Sequence, residues 1–148
     1  MKRMIAFFIV IVFLIGFKIV FENNLPNLEF DSMIVISKTT QLDREYLQNG
    51  EDFYYNFDKI EGQEVLKGLD VNEIKGLVFY FDNIDINDLL NKTDFYYKGE
   101  EVDGMKVYYG YDSSYPDFRY INGKKINIQI VQNSTKTIVG YPMILCGF

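Results

Sequence analysis

Apolar residues follow two different rhythms along this 148-residue chain. From Met4 to Phe17 they run without a break, MIAFFIVIVFLIGF, and after Lys18 the run resumes as far as Phe21. Fourteen residues at about 1.5 Å each fall short of the roughly 30 Å hydrocarbon layer. Counting on to Phe21 gives a segment that spans it, with Lys18 carrying its amine out to the interface. A stretch that is apolar all round predicts a membrane helix rather than an amphipathic one. Further along, apolar positions come in short strand-like runs bounded by Asn, Asp and Gly: MIVIS (33–37), GLVFYF (76–81), two FYY triplets and the alternating INIQIV. Asn122-Gly123 between FRYI and KKINIQIVQ predicts a two-residue hairpin. In the second arm Ile126, Ile128 and Ile130 point one way and Asn127, Gln129 and Val131 the other. Pro142 in TKTIVGYPMIL predicts an edge strand or a bulge, because proline has no N–H for a ladder.

One stretch of the pattern is repeated. DFYYNFDKIEGQEVLKGLD (52–70) aligns without gaps on DFYYKGEEVDGMKVYYGYD (94–112), with eight identities in nineteen positions. Upstream, Leu42-Asp43 and Leu47 echo Ile84-Asp85 and Leu89. The repeat predicts a 42-residue duplication, about 32–73 and 74–115. Each copy would hold a strand, a short helix (near 41–49 and 85–91), an FYY strand, an EG or DG turn, and a further strand. By that analogy QEVLKGL (63–69), which read alone could be helical, becomes a strand. Asp43 and Asp85 would each cap a short helix. The fold class expected is α+β: an antiparallel, pseudo-duplicated sheet with two short helices on one face, after an N-terminal transmembrane helix.

Charge then sets the compartment and the partners. Lys2 and Arg3 precede the apolar run, so the N-terminus is expected in the cytoplasm and the remainder outside. FKIVFENNLP offers no small-x-small cleavage site, which predicts an uncleaved signal anchor at 1–21, a tether at 22–27 and one extracytoplasmic domain at 28–148. Residues 25–148 carry twelve Lys and Arg against twenty Asp and Glu. Such a surface repels nucleic acid, so nucleic-acid binding is not expected. The only cysteine, Cys146, cannot form an internal disulfide and reads as a buried thiol in a C-terminal strand.

Chemistry narrows the field further. With no histidine in the chain, Ser-His-Asp and Cys-His catalysis and the usual zinc sites are excluded. No nucleotide-binding glycine motif occurs. Paired carboxylates could hydrolyse a glycosidic bond, but twenty acids make that unspecific. The acidic stretch DNIDINDLLNKTD (82–94) raises a calcium loop, whose ligands would include Asp85, Asn87 and Asp94. Position 6 of that loop is Asp88 rather than glycine, and the preceding GLVFYF reads as a strand where an EF-hand needs a helix. Helix capping by Asp85 is the preferred account, with no metal or cofactor expected. Twelve Tyr and thirteen Phe with no Trp leave an aromatic surface as the remaining candidate. SSYPDFRY (113–120) is where it is expected, with Tyr115, Arg119 and Tyr120.

The C-terminal stretch YYGYDSSYPDFRYINGKKINIQIVQNSTKTIVGYPMILCGF (108–148) resembles the end of the YwmB family. These are extracytoplasmic proteins of spore-forming Gram-positive bacteria, described as similar in fold to the TATA-box-binding protein. The resemblance rests chiefly on NGKKINIQI and IVGYPMI, and it implies an α+β domain with a curved antiparallel sheet. It brings no catalytic motif and does not imply DNA binding. The function expected is a membrane-anchored, non-catalytic interaction module of the cell envelope that contacts another envelope protein. The alternatives are a wall-glycan binder or two-carboxylate glycosidase, and a permanent structural subunit of an envelope complex.

Overall fold

The computed structural model describes residues 29–144 apart from 41, 71, 92, 100, 102, 114 and 116, and all of these but the side chain of Phe95. The expected anchor, the tether and Cys146 lie outside the described residues, among which no helix is long and apolar enough to cross a membrane. The chain order is β1 (Ser32–Ser37), β2 (Leu47–Asn49), β3 (Asp52–Asp58), α1 (Lys59–Gly68), β4 (Ile74–Phe81), α2 (Ile86–Leu90), β5 (Phe95–Lys98), β6 (Lys106–Tyr111), β7 (Arg119–Ile121), β8 (Lys124–Ile126), β9 (Ile128–Gln132) and β10 (Thr137–Tyr141). Eight strands form one sheet in the order β2-β3-β1-β4-β10-β9-β6-β5, and β7 and β8 form a separate hairpin. Every pairing is antiparallel. The architecture is α+β.

Strand alternation divides the sheet into two faces. Along the register, Phe57, Met33, Phe79, Val139, Ile130 and Tyr108 lie side by side on an inner face. That face, with Phe30, Tyr55, Leu77 and Ile128, makes the main core. Leu89 and Leu90 of α2 belong to the same core, and Val65 and Leu66 of α1 pack against it. Burying side chains of this size stabilises the fold by about 1.5–3 kcal/mol each relative to exposure, so this layer dominates stability. The outer face carries Asn56, Ile34, Val78, Gly140, Gln129, Tyr109 and Tyr97 in one cross-strand row. On it Ile36, Val78 and Ile138 are buried in a second, smaller cluster joined by Tyr54, Tyr80 and Ile144. At Gly140 an added Cβ would stand 2.4 Å from the Ile144 nitrogen, so only glycine lets the segment after β10 fold back this closely.

The duplication is kept in part. Both leading strands, both FYY strands and α2 form where the pattern predicts, but QEVLKGL is helix and not strand. Gly62, Val65 and Leu66 are the buried or half-buried positions of α1, and Leu69, its C-cap, continues their i, i+3, i+4 and i+7 spacing. Asp58 caps this helix, its Oδ1 accepting the Glu61 N–H at 2.9 Å. In the second copy the equivalent residues are MKVYYGY, whose β-branched and aromatic side chains favour a strand, and Asp103-Gly104 makes the hairpin turn with positive φ at both. The Glu61-Gly62 turn does not form, since both residues are helical. Nor does a helix near 41–49. Leu47–Asn49 instead pairs with β3 across a two-residue loop whose first residue, Gly50, has φ 64°, and Asp43 caps nothing helical.

The triplets also face opposite ways. Tyr55 is fully buried on the inner face, whereas its counterpart Tyr97 lies on the outer one. A one-residue change in facing exchanges every side chain between core and solvent. Pro142 marks neither an edge nor a bulge. β10 is interior, between β4 and β9, and it stops at Tyr141, after which Pro142 follows in a cis peptide.

Candidate functional site

A buried side chain is one of the contacts that tie the β7–β8 hairpin to the end of the sheet. Asn127, directly after β8, is fully buried. Its Nδ2 donates to the carbonyls of Asp112 (2.7 Å) and Tyr115 (3.0 Å), and its Oδ1 accepts the Asp112 N–H at 2.7 Å. Its own N–H donates to the Gly110 carbonyl at 3.0 Å. An amide is required here because one group must both donate and accept. Beyond it, Asn122 and Gly123 reverse the chain with φ of 49° and 76°, as the Asn-Gly signal predicts.

What the hairpin presents is cationic and aromatic. Arg119, Tyr120, Lys124 and Lys125 are all exposed, Tyr120 by 66% and the adjoining Phe118 by 41%. Phe118 and Tyr120 meet edge to face, with ring centroids 5.6 Å apart and planes at 88°. The Lys125 ammonium sits 4.5 Å from the Phe118 centroid and 6.0 Å from that of Tyr111, and Lys124 sits 5.2 Å from Tyr97. Tyr97 in turn stacks on Tyr109 at 5.3 Å. Burial and the neighbouring Tyr109 raise the Tyr97 hydroxyl above its ordinary value. These contacts join the hairpin to the tyrosines of the outer face.

Two grooves share Asn56 in their lining, one at the β2–β3 edge and one across the ends of β3, β1 and β4. One, of about 330 Å³, is lined by residues that include Arg44, Tyr46, Leu47 and Tyr54. The other, of about 540 Å³, is lined by residues that include Asp31, Ile34, Tyr80, Asp82 and Lys136. Asp31 is engaged there, its Oδ2 accepting the Asp82 N–H at 2.8 Å.

The expected site residues separate. Arg119 and Tyr120 are on the surface as anticipated, but Tyr115 is not: it is 3% exposed and packs on Tyr141 at 5.4 Å inside the core. Burial pushes both hydroxyls well above the usual tyrosine range. The calcium candidates are each engaged in hydrogen bonds within the fold. Asp85 Oδ1 accepts from the backbone and side-chain amides of Asn87, at 2.9 and 3.0 Å, and so caps α2. Asp94 Oδ2 accepts the Ser113 N–H at 2.9 Å. Among the described residues no group of three or more His, Cys, Asp or Glu is placed to hold a metal ion. Phe118, Lys124, Lys125 and Tyr97 were not anticipated as site residues. Their signal is in the sequence nonetheless: after Asp117 the chain contains Arg119, Lys124, Lys125 and Lys136 and not one acid. Compared with models of protein families, with curated proteins and with solved structures, the chain matches none.

Proposed function

We propose that this chain is a membrane-anchored, extracytoplasmic interaction module of the cell envelope that contacts another envelope protein through the outer face of its sheet. One observation carries the reading: Ile34, Tyr54, Tyr80, Tyr97, Tyr109 and Tyr111 are all half-buried on the face opposite the two helices. Tyrosine supplies a large amphipathic contact at low entropic cost, and it is enriched where protein interfaces carry their energy. The anchor at 1–21 and the partial likeness of residues 108–148 to the YwmB family belong to the same reading. The test is photo-crosslinking in native membranes, with a crosslinkable residue replacing Tyr80, Tyr97 or, as a control on the helical side, the exposed Ile60. Protein adducts from the two tyrosine positions and none from position 60 are expected. Adducts from position 60 alone, or from none, overturn the proposal. The same membranes should retain the full-length chain, whereas a soluble form starting near residue 22 would show a cleaved leader.

The alternative glycan reading would draw on the groove whose lining includes Asp31, Asp82 and Tyr80. Asp31→Asn and Asp82→Asn should leave wall-oligosaccharide binding and hydrolysis unchanged if the protein-partner reading is right.

A further inference from the structure

The charge of this protein is divided unevenly, and the division coincides with a structural unit. The whole chain is at −6, yet residues 118–148 hold four cations and no carboxylate. Three of the four, Arg119, Lys124 and Lys125, stand on the eight-residue hairpin β7–β8. Neither Arg119 nor Lys125 has a carboxylate partner among the described residues, whose ion pairs are Arg44–Glu61, Lys67–Glu64 and Lys75–Asp52. The two largest aromatic exposures on this unit, Tyr120 and Phe118, flank the same cations.

We infer that the β7–β8 hairpin is the element that recognises the protein partner, and that it takes a short acidic segment of that partner. This rests on the interaction-module reading above and names the chemistry of its partner. The carboxylates pair with Arg119 and Lys125, and the Tyr120 ring is covered on binding. Exposed Arg and Tyr side by side is the composition of an interface hot spot. Complementary charge at such a site steers encounter and fixes register. A protein segment fits better than a wall polyanion, because a long polyanion would extend from the hairpin across a surface that is otherwise acidic, where like charges repel.

The test uses the full-length chain in nanodiscs of zwitterionic lipid. Two fluorescent probes are titrated by anisotropy: an eight-residue Glu/Asp peptide containing one Tyr, and a glycerol-phosphate oligomer of matched charge. The expected result is peptide binding that weakens with added salt, as exposed charge contacts do. It should fall roughly tenfold in the doubly reversed Arg119→Glu/Lys125→Glu chain. The control Lys59→Glu/Lys67→Glu carries the same change in net charge on α1 and should bind like the parent. Tyr120→Ala should weaken binding severalfold with the fold intact by circular dichroism. The inference is overturned if the peptide does not bind, if both double variants lose affinity equally, or if the phosphate oligomer binds more tightly. Crosslinks at Tyr80 and Tyr97 that persist without peptide binding would leave the module reading standing and remove the hairpin alone.

Discussion

Asn127 joins the β7–β8 hairpin to the chain at Asp112–Tyr115. Asn127 satisfies the Asp112 amide and carbonyl and the Tyr115 carbonyl through its side chain, in a place fully closed to solvent. Asn127→Ala removes these three buried hydrogen bonds at once, and a chemical melt should show a loss of about 3 kcal/mol. Asp94 is a different case at the surface. The hydrogen bond from the Ser113 side chain, and then that from its backbone N–H, hold this carboxyl below its ordinary value of 3.8. A depressed carboxyl contributes stability above the unfolded-state value and loses it as the pH falls through the folded one. Denaturant midpoints of the parent should therefore drop on acidification below about pH 4, and Asp94→Asn should flatten that slope. The burial of Tyr115 was not legible at this scale, because a tyrosine between Ser and Pro reads as exposed. What covers it is Tyr141, a strand far off in sequence.

Individual elements show which signals compete. The Asn122-Gly123 and Asp103-Gly104 turns were readable because a two-residue turn requires residues that accept positive φ. QNGED (48–52) holds the same Asn-Gly dipeptide, next to the stretch where the duplication predicts a helix. The stripe at Gly62, Val65, Leu66 and Leu69 likewise runs against the strand that the duplication predicts. In both cases local chemistry won: Gly50 made a hairpin, and Asp58 together with Glu, Gln, Leu and Lys made a helix. Cap energetics separate the acids of the 82–94 stretch. Asp85→Ala should cost about 1 kcal/mol in a thermal or urea melt, since its carboxylate accepts the Asn87 N–H in the first turn of α2. Asp88→Ala, at an exposed position, should change the midpoint little. A large loss at Asp88 that depends on added calcium would revive a metal-binding loop.

The whole molecule is a sheet with unequal faces, one roofed by two helices and one bearing tyrosines. Its core contains phenols as well as hydrocarbon: Tyr115 and Tyr141 pack ring to ring there, both raised well above the ordinary 10.0 by burial, with Asp117 adding to the effect at Tyr115 and Asp112 at Tyr141. A raised phenol stabilises the fold fully below the unfolded-state value and ceases to do so as the pH climbs toward the folded one. Alkaline titration should thus give cooperative unfolding above about pH 10, with part of the tyrosinate absorbance appearing only as the fold is lost. Tyr141→Phe, which removes the ionising group, should move that transition to higher pH. The ends of the sheet have their own consequence. Its outermost strands, β2 and β5, are three and four residues long, so each leaves too short a row of backbone groups to template another chain. Neighbouring copies therefore lack the strand-on-strand zippering that seeds fibrils, and the outer face can carry its tyrosines without the chain polymerising through these edges.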